Sequence, residues 1–244
     1  LSIVADGCED VLVDVAPRWT PAKAREFLSG AISHDAQAVV LTDFFPDLVA
    51  HQLARAFAGL PWEPIFALVN GETTRFVLES EFESAKENER FSCSDTVRPN
   101  SDIFEPGRLP DIQRRNMERF LVWAVQGEGL RNWLCEALDF DVSGRVSFEF
   151  CRYEEDGFLS AHADNFGGRV LGLCLYLDPS WLPTDGGQLG HRDPDGRMER
   201  LEPRFNSLSL IPIGDGHVHW VESWKAKRPG RHSFSLGLHH AADK

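Results

Sequence analysis

Three side chains able to hold a divalent cation stand in two short segments. His162 and Asp164 are one residue apart, and residues i and i+2 of a strand project from one face, so the pair can address one cation together. Later in the chain, His217-Val218-His219-Trp220-Val221 can supply a third ligand. Two imidazoles and one carboxylate leave several coordination positions open. That donor set suits a non-haem Fe(II) centre, and it also suits catalytic zinc. Further on, Arg231 and Ser233 share a strand face and can grip a carboxylate, the guanidinium through a bidentate, charge-assisted pair. Hydrogen bonds to charged groups contribute about 1.5–3 kcal/mol each, enough to orient a small dicarboxylate.

The elements that must position these groups are strands. Beyond Asp141, short β-rich runs cover 145–153, 158–164, 169–177, 187–191, 198–201, 206–213, 217–222 and 231–238, separated by turn clusters such as Asp193-Pro194-Asp195-Gly196. About eight short strands of this kind predict a jelly roll. Upstream, helices are expected from Pro21 to Leu28 behind Thr20, from Pro46 to Ala58, from Asp111 to Val125 and from Gly129 to Ala137. Strands are expected over Ala38 to Leu41 and, around the turn Asn70-Gly71, over Ile65 to Asn70 and Arg75 to Leu78. Helices first and strands later predict an α+β protein: a double-stranded β-helix (jelly-roll, cupin-like) core over 141–244, supported by a helical layer over 35–140, with an N-terminal arm over 1–34, all in one structural domain. Glu79 to Arg90 carries five glutamates and reads as a solvated face, or functionally as a lid. The arm and the segment 79–108 are expected to shape access to the site.

A chain of 244 residues with 42% apolar and 11% aromatic residues can bury a sizeable core, which excludes wholesale disorder. Acidic residues outnumber basic ones, 38 to 25, for a net charge of −13. Such a surface repels phosphate backbones and argues against nucleic acid as a partner. Apolar runs such as 170–177 are too short to span a bilayer, and Leu1 to Asp10 lacks the pattern of a signal peptide. Five scattered cysteines without a C-x-x-C pair argue against a disulfide framework and a thiolate zinc site, and predict reduced thiols in a cytoplasmic compartment. No pattern sets an oligomeric state.

Tyr153, Gly157, His162-x-Asp164, the run Leu175 to Trp181, Gly186-Gly187-Gln188-Leu189, Glu202-Pro203-Arg204-Phe205-Asn206, His219-x-Val221 and Arg231-x-Ser233 occur in this order. With them the chain resembles the Fe(II)- and 2-oxoglutarate-dependent oxygenases of the prolyl 4-hydroxylase type, most of all the branch of oxygen-sensing and ribosomal prolyl hydroxylases. The resemblance covers about 145–240 strongly and 38–58 weakly. It implies that His162, Asp164 and His219 hold Fe(II), and that Arg231 pairs with the distal carboxylate of 2-oxoglutarate. Tyr176 would bond the same carboxylate, Tyr153 would touch cosubstrate or substrate, Ser233 would assist Arg231, and Leu189 and Val221 would wall the pocket. O2 is then the second cosubstrate, with ascorbate as a supporting reductant. The implied reaction hydroxylates an unactivated C–H bond, most naturally of a prolyl residue in a peptide or protein, and converts 2-oxoglutarate to succinate and CO2. The carboxylate of Asp164 implies hydroxylation rather than halogenation.

Several choices stay open at this level. His217 lies on the same expected face as His219, and the pattern His-x-Val favours His219. Arg228 competes with Arg231, but Pro229 behind it suits a turn. Asn165, Arg169, His191, His217 and Trp220 are candidates for contacting substrate or supporting the ligands, and each also suits packing or solvent. On the same scaffold the substrate could be a free amino acid or a biosynthetic small molecule. Readings from other classes are a mononuclear zinc hydrolase and a non-catalytic cupin-like binding protein. The first has no need of a dicarboxylate clamp, and the second no need of a complete ligand set.

Overall fold

A computed structural model describes residues 10–29, 38–70, 73–97, 108–126, 129–138, 146–164 and 168–239. The β-region of the chain folds into eight strands: β5 (Val146–Tyr153), β6 (Phe158–His162), β7 (Arg169–Tyr176), β8 (Leu189–Arg192), β9 (Met198–Leu201), β10 (Ser207–Pro212), β11 (Val218–Val221) and β12 (Gly230–His239). They follow β1 (Val39–Thr42), β2 (Glu63–Asn70), β3 (Thr73–Val77) and β4 (Arg90–Thr96). All pairings are antiparallel, in the order β1-β10-β7-β12-β5-β4-β6-β11-β8-β9, with the hairpin β2–β3 attached through β4. The result is a nearly closed jelly roll, the double-stranded β-helix expected from the spacing of the strands.

Strand parity divides the residues between two environments. On β12, Phe234 and Leu236 face outward, and on β5 Phe150 does the same, opposite Phe234. There they meet α2 (Asp47–Ala58) and α4 (Asp111–Leu121): Phe57 and Phe120 lie 5.3 and 4.9 Å, centroid to centroid, from Phe150 and Phe234 respectively. These aromatics, with Phe44, Phe45 and Trp133, form the main core, whose stabilisation is mostly removal of apolar surface from water. The alternate residues Ser233 and Ser235 face the lumen, so one strand serves the core and the site at once.

The described part of the arm packs into the helical layer: Val11 N–H donates to Asn116 Oδ1 at 3.1 Å, Trp19 Nε1 to the Thr42 carbonyl, and Trp133 Nε1 to the Trp19 carbonyl, both at 2.6 Å. Helices α1 (Pro21–Leu28) and α5 (Gly129–Leu138) complete that layer. Thr20 precedes α1 as expected but makes no side-chain cap. The turn at Asn70-Gly71 runs out of the described residues.

Strand β4 is the element that the sequence reading passes over. The glutamate-rich stretch folds as a short helix, α3 (Glu79–Ser84), anchored by buried Phe82, and then β4 pairs with β2 along its length and, over two residues each, with β5 and β6. Its inward Ser92, Ser94 and Thr96 are buried but polar, so no apolar alternation announces it. A nearly buried ion pair holds it: Asp95 Oδ2 accepts from Arg152 Nε at 2.8 Å and also from Nη2. Residues 98–107, the rest of the expected lid segment, lie outside the described residues.

Candidate active site

His162 ends β6 and His219 sits on β11 directly across from it, because the two strands pair antiparallel with these residues in register. Their rings lie 4.2 Å apart, centroid to centroid. Asp164 follows β6 at φ 48°, which turns its carboxylate back toward both: Oδ1 is 3.5 Å from His162 Nε2, and Oδ2 is 3.6 Å from His219 Nε2. One potential ligand atom from each residue lies within 4.8 Å of the others. His162 Nδ1 is 2.8 Å from the Ser160 carbonyl, so Nδ1 carries the proton and Nε2 keeps its lone pair free. Burial, then the neighbouring His162 and His191, pushes His219 down to about 3, so it is neutral as a ligand must be. The structure brings His219, not His217, to the other two.

The second half of the site is a cage around one cation. Arg231 is 2% exposed, and its guanidinium lies between the rings of Tyr153 and Tyr176, 5.1 Å from each centroid. Nε donates to the Gly187 carbonyl at 2.5 Å and Nη1 approaches Ser233 Oγ at 3.4 Å. Among the described residues no carboxylate pairs with this guanidinium. A buried, unpaired charge costs several kcal/mol. Tyr176 Oη and Ser209 Oγ are also buried without a well-formed hydrogen bond. Unmatched donors around a cation are what an anionic guest would satisfy. Leu189 and Val221 are buried with Tyr153, Ile211, Ile213 and Trp224 in a separate apolar cluster.

Arg231 reaches the lumen by a bulge. The register of β12 against β5 shifts between Gly230 and Ser233, and Arg231 has φ 52°. Its backbone N–H leaves the ladder and donates to Asp178 Oδ2 at 2.8 Å. Asp178 is ionised below the usual carboxylate range: burial opposes this, but the Ser180 hydroxyl and N–H, the Arg231 N–H and Arg228 outweigh it. Arg228 is taken up by structure, with Nη1 3.2 Å from Asp178 Oδ2 and Nη2 2.7 Å from Asp185 Oδ2. Asp178, Gly187 and Trp224 carry no signal of these roles in the sequence beyond their place in the motif run and turns.

The remaining candidates disperse. Arg169 is paired with Asp164. His191 faces His219 across β8–β11 and its Nε2 is 3.1 Å from His217 Nδ1, so these two histidines partner each other. Trp220 packs over Gly190, a packing role. Asn165 lies outside the described residues. Glu149, not anticipated, is exposed on the lumen side of β5, where its Oε1 accepts from Thr96 Oγ1 at 3.3 Å.

With this geometry in view, comparison with known proteins assigns the class. Residues 148–239 match the 2OG-Fe(II) oxygenase superfamily, and that stretch holds every candidate side chain named above apart from Thr96. The match is confined to this region, and the superfamily's name states the metal and the cosubstrate of its members. More particularly, the chain is 35% identical over 142 residues to prolyl 3-hydroxylase OGFOD1 of Mus musculus, a match covering 55% of this chain and 26% of that protein. The chain spans about a quarter to a third of the length of the curated relatives it matches. Among solved structures, a Pseudomonas putida prolyl-4-hydroxylase superposes with a TM-score of 0.57 at 18% identity, covering 90% of this chain and 98% of that one. A Trichoplax adhaerens prolyl hydroxylase, in complex with a hypoxia inducible factor peptide fragment, gives 0.57 at 13% identity over 90% and 88% of the two chains. These likenesses share the fold. Among the described residues, no helix is long and apolar enough to cross a membrane.

Proposed function

We propose that this chain is an Fe(II)- and 2-oxoglutarate-dependent dioxygenase that hydroxylates a prolyl residue in a peptide or protein. The observation that carries the reading is the buried Arg231, caged by two tyrosines and without a carboxylate partner among the described residues, in a barrel that also gathers His162, Asp164 and His219. Iron with 2-oxoglutarate and O2 supplies the oxidation of a C–H bond, coupled to decarboxylation of the cosubstrate to succinate and CO2. The residues supply the rest. His162 and His219 offer Nε2 and Asp164 a carboxylate oxygen, which leaves positions for the cosubstrate. Arg231 binds the distal carboxylate by a charge-assisted pair, and Ser233 and Tyr176 add hydroxyls. Tyr153 stays a neutral phenol, because burial raises its pKa, and stacks on the guanidinium. Leu189 and Val221 exclude water from the chain of the cosubstrate.

The prolyl substrate rests on the relatives: curated prolyl 3-hydroxylases, and a structural neighbour solved with a peptide. The described cysteines are free thiols, which supports a reducing, cytoplasmic setting. A zinc hydrolase would leave the Arg231 cage without purpose. The test is succinate formation by Fe(II)-loaded protein supplied with 2-oxoglutarate, O2 and proline-containing peptides. Peptide-stimulated turnover that His162→Ala abolishes and Arg231→Ala weakens is expected. A folded, iron-loaded protein that neither binds nor decarboxylates 2-oxoglutarate would overturn the class. Turnover stimulated by free amino acids and not by peptides would overturn the substrate.

A further inference from the structure

We propose that Arg169 is a positioning residue for Asp164, delivered to it through a slot of small residues so that the carboxylate offers the metal a single oxygen. This rests on reading His162, Asp164 and His219 as the metal ligands. Arg169 opens β7, and its Nη1 is paired with Asp164 Oδ2, while Nη2 donates to Ser147 Oγ at 3.1 Å. The other oxygen, Oδ1, faces His162 Nε2.

The path of the side chain is built by its neighbours. Gly237 on β12 is in register with Gly172 on β7 and with Ser147 on β5, so three adjacent strands present almost no side-chain bulk at one level of the lumen wall. A Cβ on Gly237 would lie 2.7 Å from Arg169 Cζ and 2.7 Å from Ser147 Oγ. Gly237 is not among the residues with positive φ. Its backbone therefore does not require glycine; what it provides is room for the guanidinium. Ser147, in turn, anchors the second nitrogen of the fork and fixes the direction of the first.

The physical need lies at Asp164. A carboxylate at a strand end can turn about χ2, bind a cation through one oxygen or both, or pair with either imidazole. With Oδ2 held by Arg169, the oxygen left for the cation is Oδ1, and more coordination positions stay open for cosubstrates. Partners of this kind orient first ligands, and losing them costs about 10–100-fold in metal affinity. Simple repulsion between arginine and metal predicts the opposite, because deleting the charge would then tighten binding. The sign of the change decides between them.

Mn(II) affinity is measured by EPR on metal-free, cosubstrate-free protein for wild type, Arg169→Ala, Arg169→Lys, Gly237→Ala and the Arg169→Ala/Gly237→Ala double variant. The dissociation constant is expected to rise about 10–100-fold in Arg169→Ala. Gly237→Ala, which touches no ligand, should raise it as well, Arg169→Lys should recover part, and the double variant should lose no more than the worse single one. In Co(II)-loaded protein the visible absorption should weaken in Arg169→Ala, as both oxygens bind and the coordination number rises. Unchanged or tighter Mn(II) binding, or additive losses in the double variant, overturns the proposal. If Arg169→Ala does not fold, as metal-free melting would show, Arg169→Lys and Gly237→Ala carry the decision. His162→Ala separates the two levels: wild-type Mn(II) affinity in that variant would mean that the triad is not the metal site.

Discussion

Gly187 and Arg231 are fitted to each other at backbone level. The Gly187 carbonyl accepts from Arg231 Nε at 2.5 Å, and a Cβ on Gly187 would lie 2.9 Å from Arg231 Cδ and 3.0 Å from Trp224 Cε3. Gly187 also has φ 69°, where a side chain is strained. The turn before β8 thus sets the direction of a guanidinium that sits on β12.

Two variants test that relationship. Arg231→Ala should weaken 2-oxoglutarate binding by roughly 10–100-fold, the equivalent of a charge-assisted hydrogen bond or two. Gly187→Ala should weaken it too, although position 187 offers the ligand no side chain, because the new Cβ must displace Arg231. Calorimetric titration of Mn(II)-loaded protein with 2-oxoglutarate reads both, and an unchanged affinity in Arg231→Ala would remove the cage from the binding site.

Histidine 219, rather than histidine 217, should be needed for metal. His219 lies across from His162, whereas His217 Nδ1 is 3.1 Å from His191 Nε2. His219→Ala is expected to abolish tight Mn(II) binding and His217→Ala to leave it close to wild type. The reverse order would mean that β11 is shifted by two residues from its register here.

Strand β4 depends on Asp95. Its carboxylate is 4% exposed and pairs with Arg152, whose guanidinium also lies 5.3 Å from the Trp62 ring centroid. Breaking a fully buried pair by removing one partner costs about 3–5 kcal/mol, and the loss here should be smaller because Arg152 Nη2 keeps Glu154 Oε1 at 3.3 Å. Asp95→Ala should lower the urea midpoint accordingly, and Asp95→Ala with Arg152→Met should recover part of the loss.

Acid should destabilise the fold through histidines held neutral. Burial pushes His232 down to about 4 from an ordinary 6.5, and burial with His217 does the same to His191. Between those two values the unfolded chain binds protons that the folded one refuses, so this stability is complete above 6.5 and declines as the pH falls toward 4. Urea midpoints of metal-free protein should fall over that window, and His232→Phe should flatten the fall. A midpoint independent of pH there would contradict the buried, neutral state of these rings.

What the sequence determined by itself was local and periodic. Short β-rich runs between turn clusters placed all eight strands of the barrel within a few residues of their observed bounds, whereas Asp164, expected on one strand face with His162, lies beyond the end of β6 and reaches it through a left-handed turn. Pro229 pointed from Arg228 to Arg231, and in the structure Arg228 is paired with Asp178 and Asp185 while Arg231 lies between Tyr153 and Tyr176. Tertiary structure decided what depends on a distant neighbour. Strand β4 is polar on its buried side, and only its pairing with β2 along one edge and with β5 and β6 along the other makes Ser92, Ser94 and Thr96 a strand. Arg231 enters the lumen through a bulge, its N–H held by Asp178, 53 residues away in the chain. Arg169 pairs with Asp164 while passing Gly237, whose Cβ would crowd it, and Ser147, in register with Gly237 across β5 and β12. Side-chain alternation is written in adjacent residues, whereas register between strands, and the ion pairs it creates, is a long-range property that no short window of sequence contains.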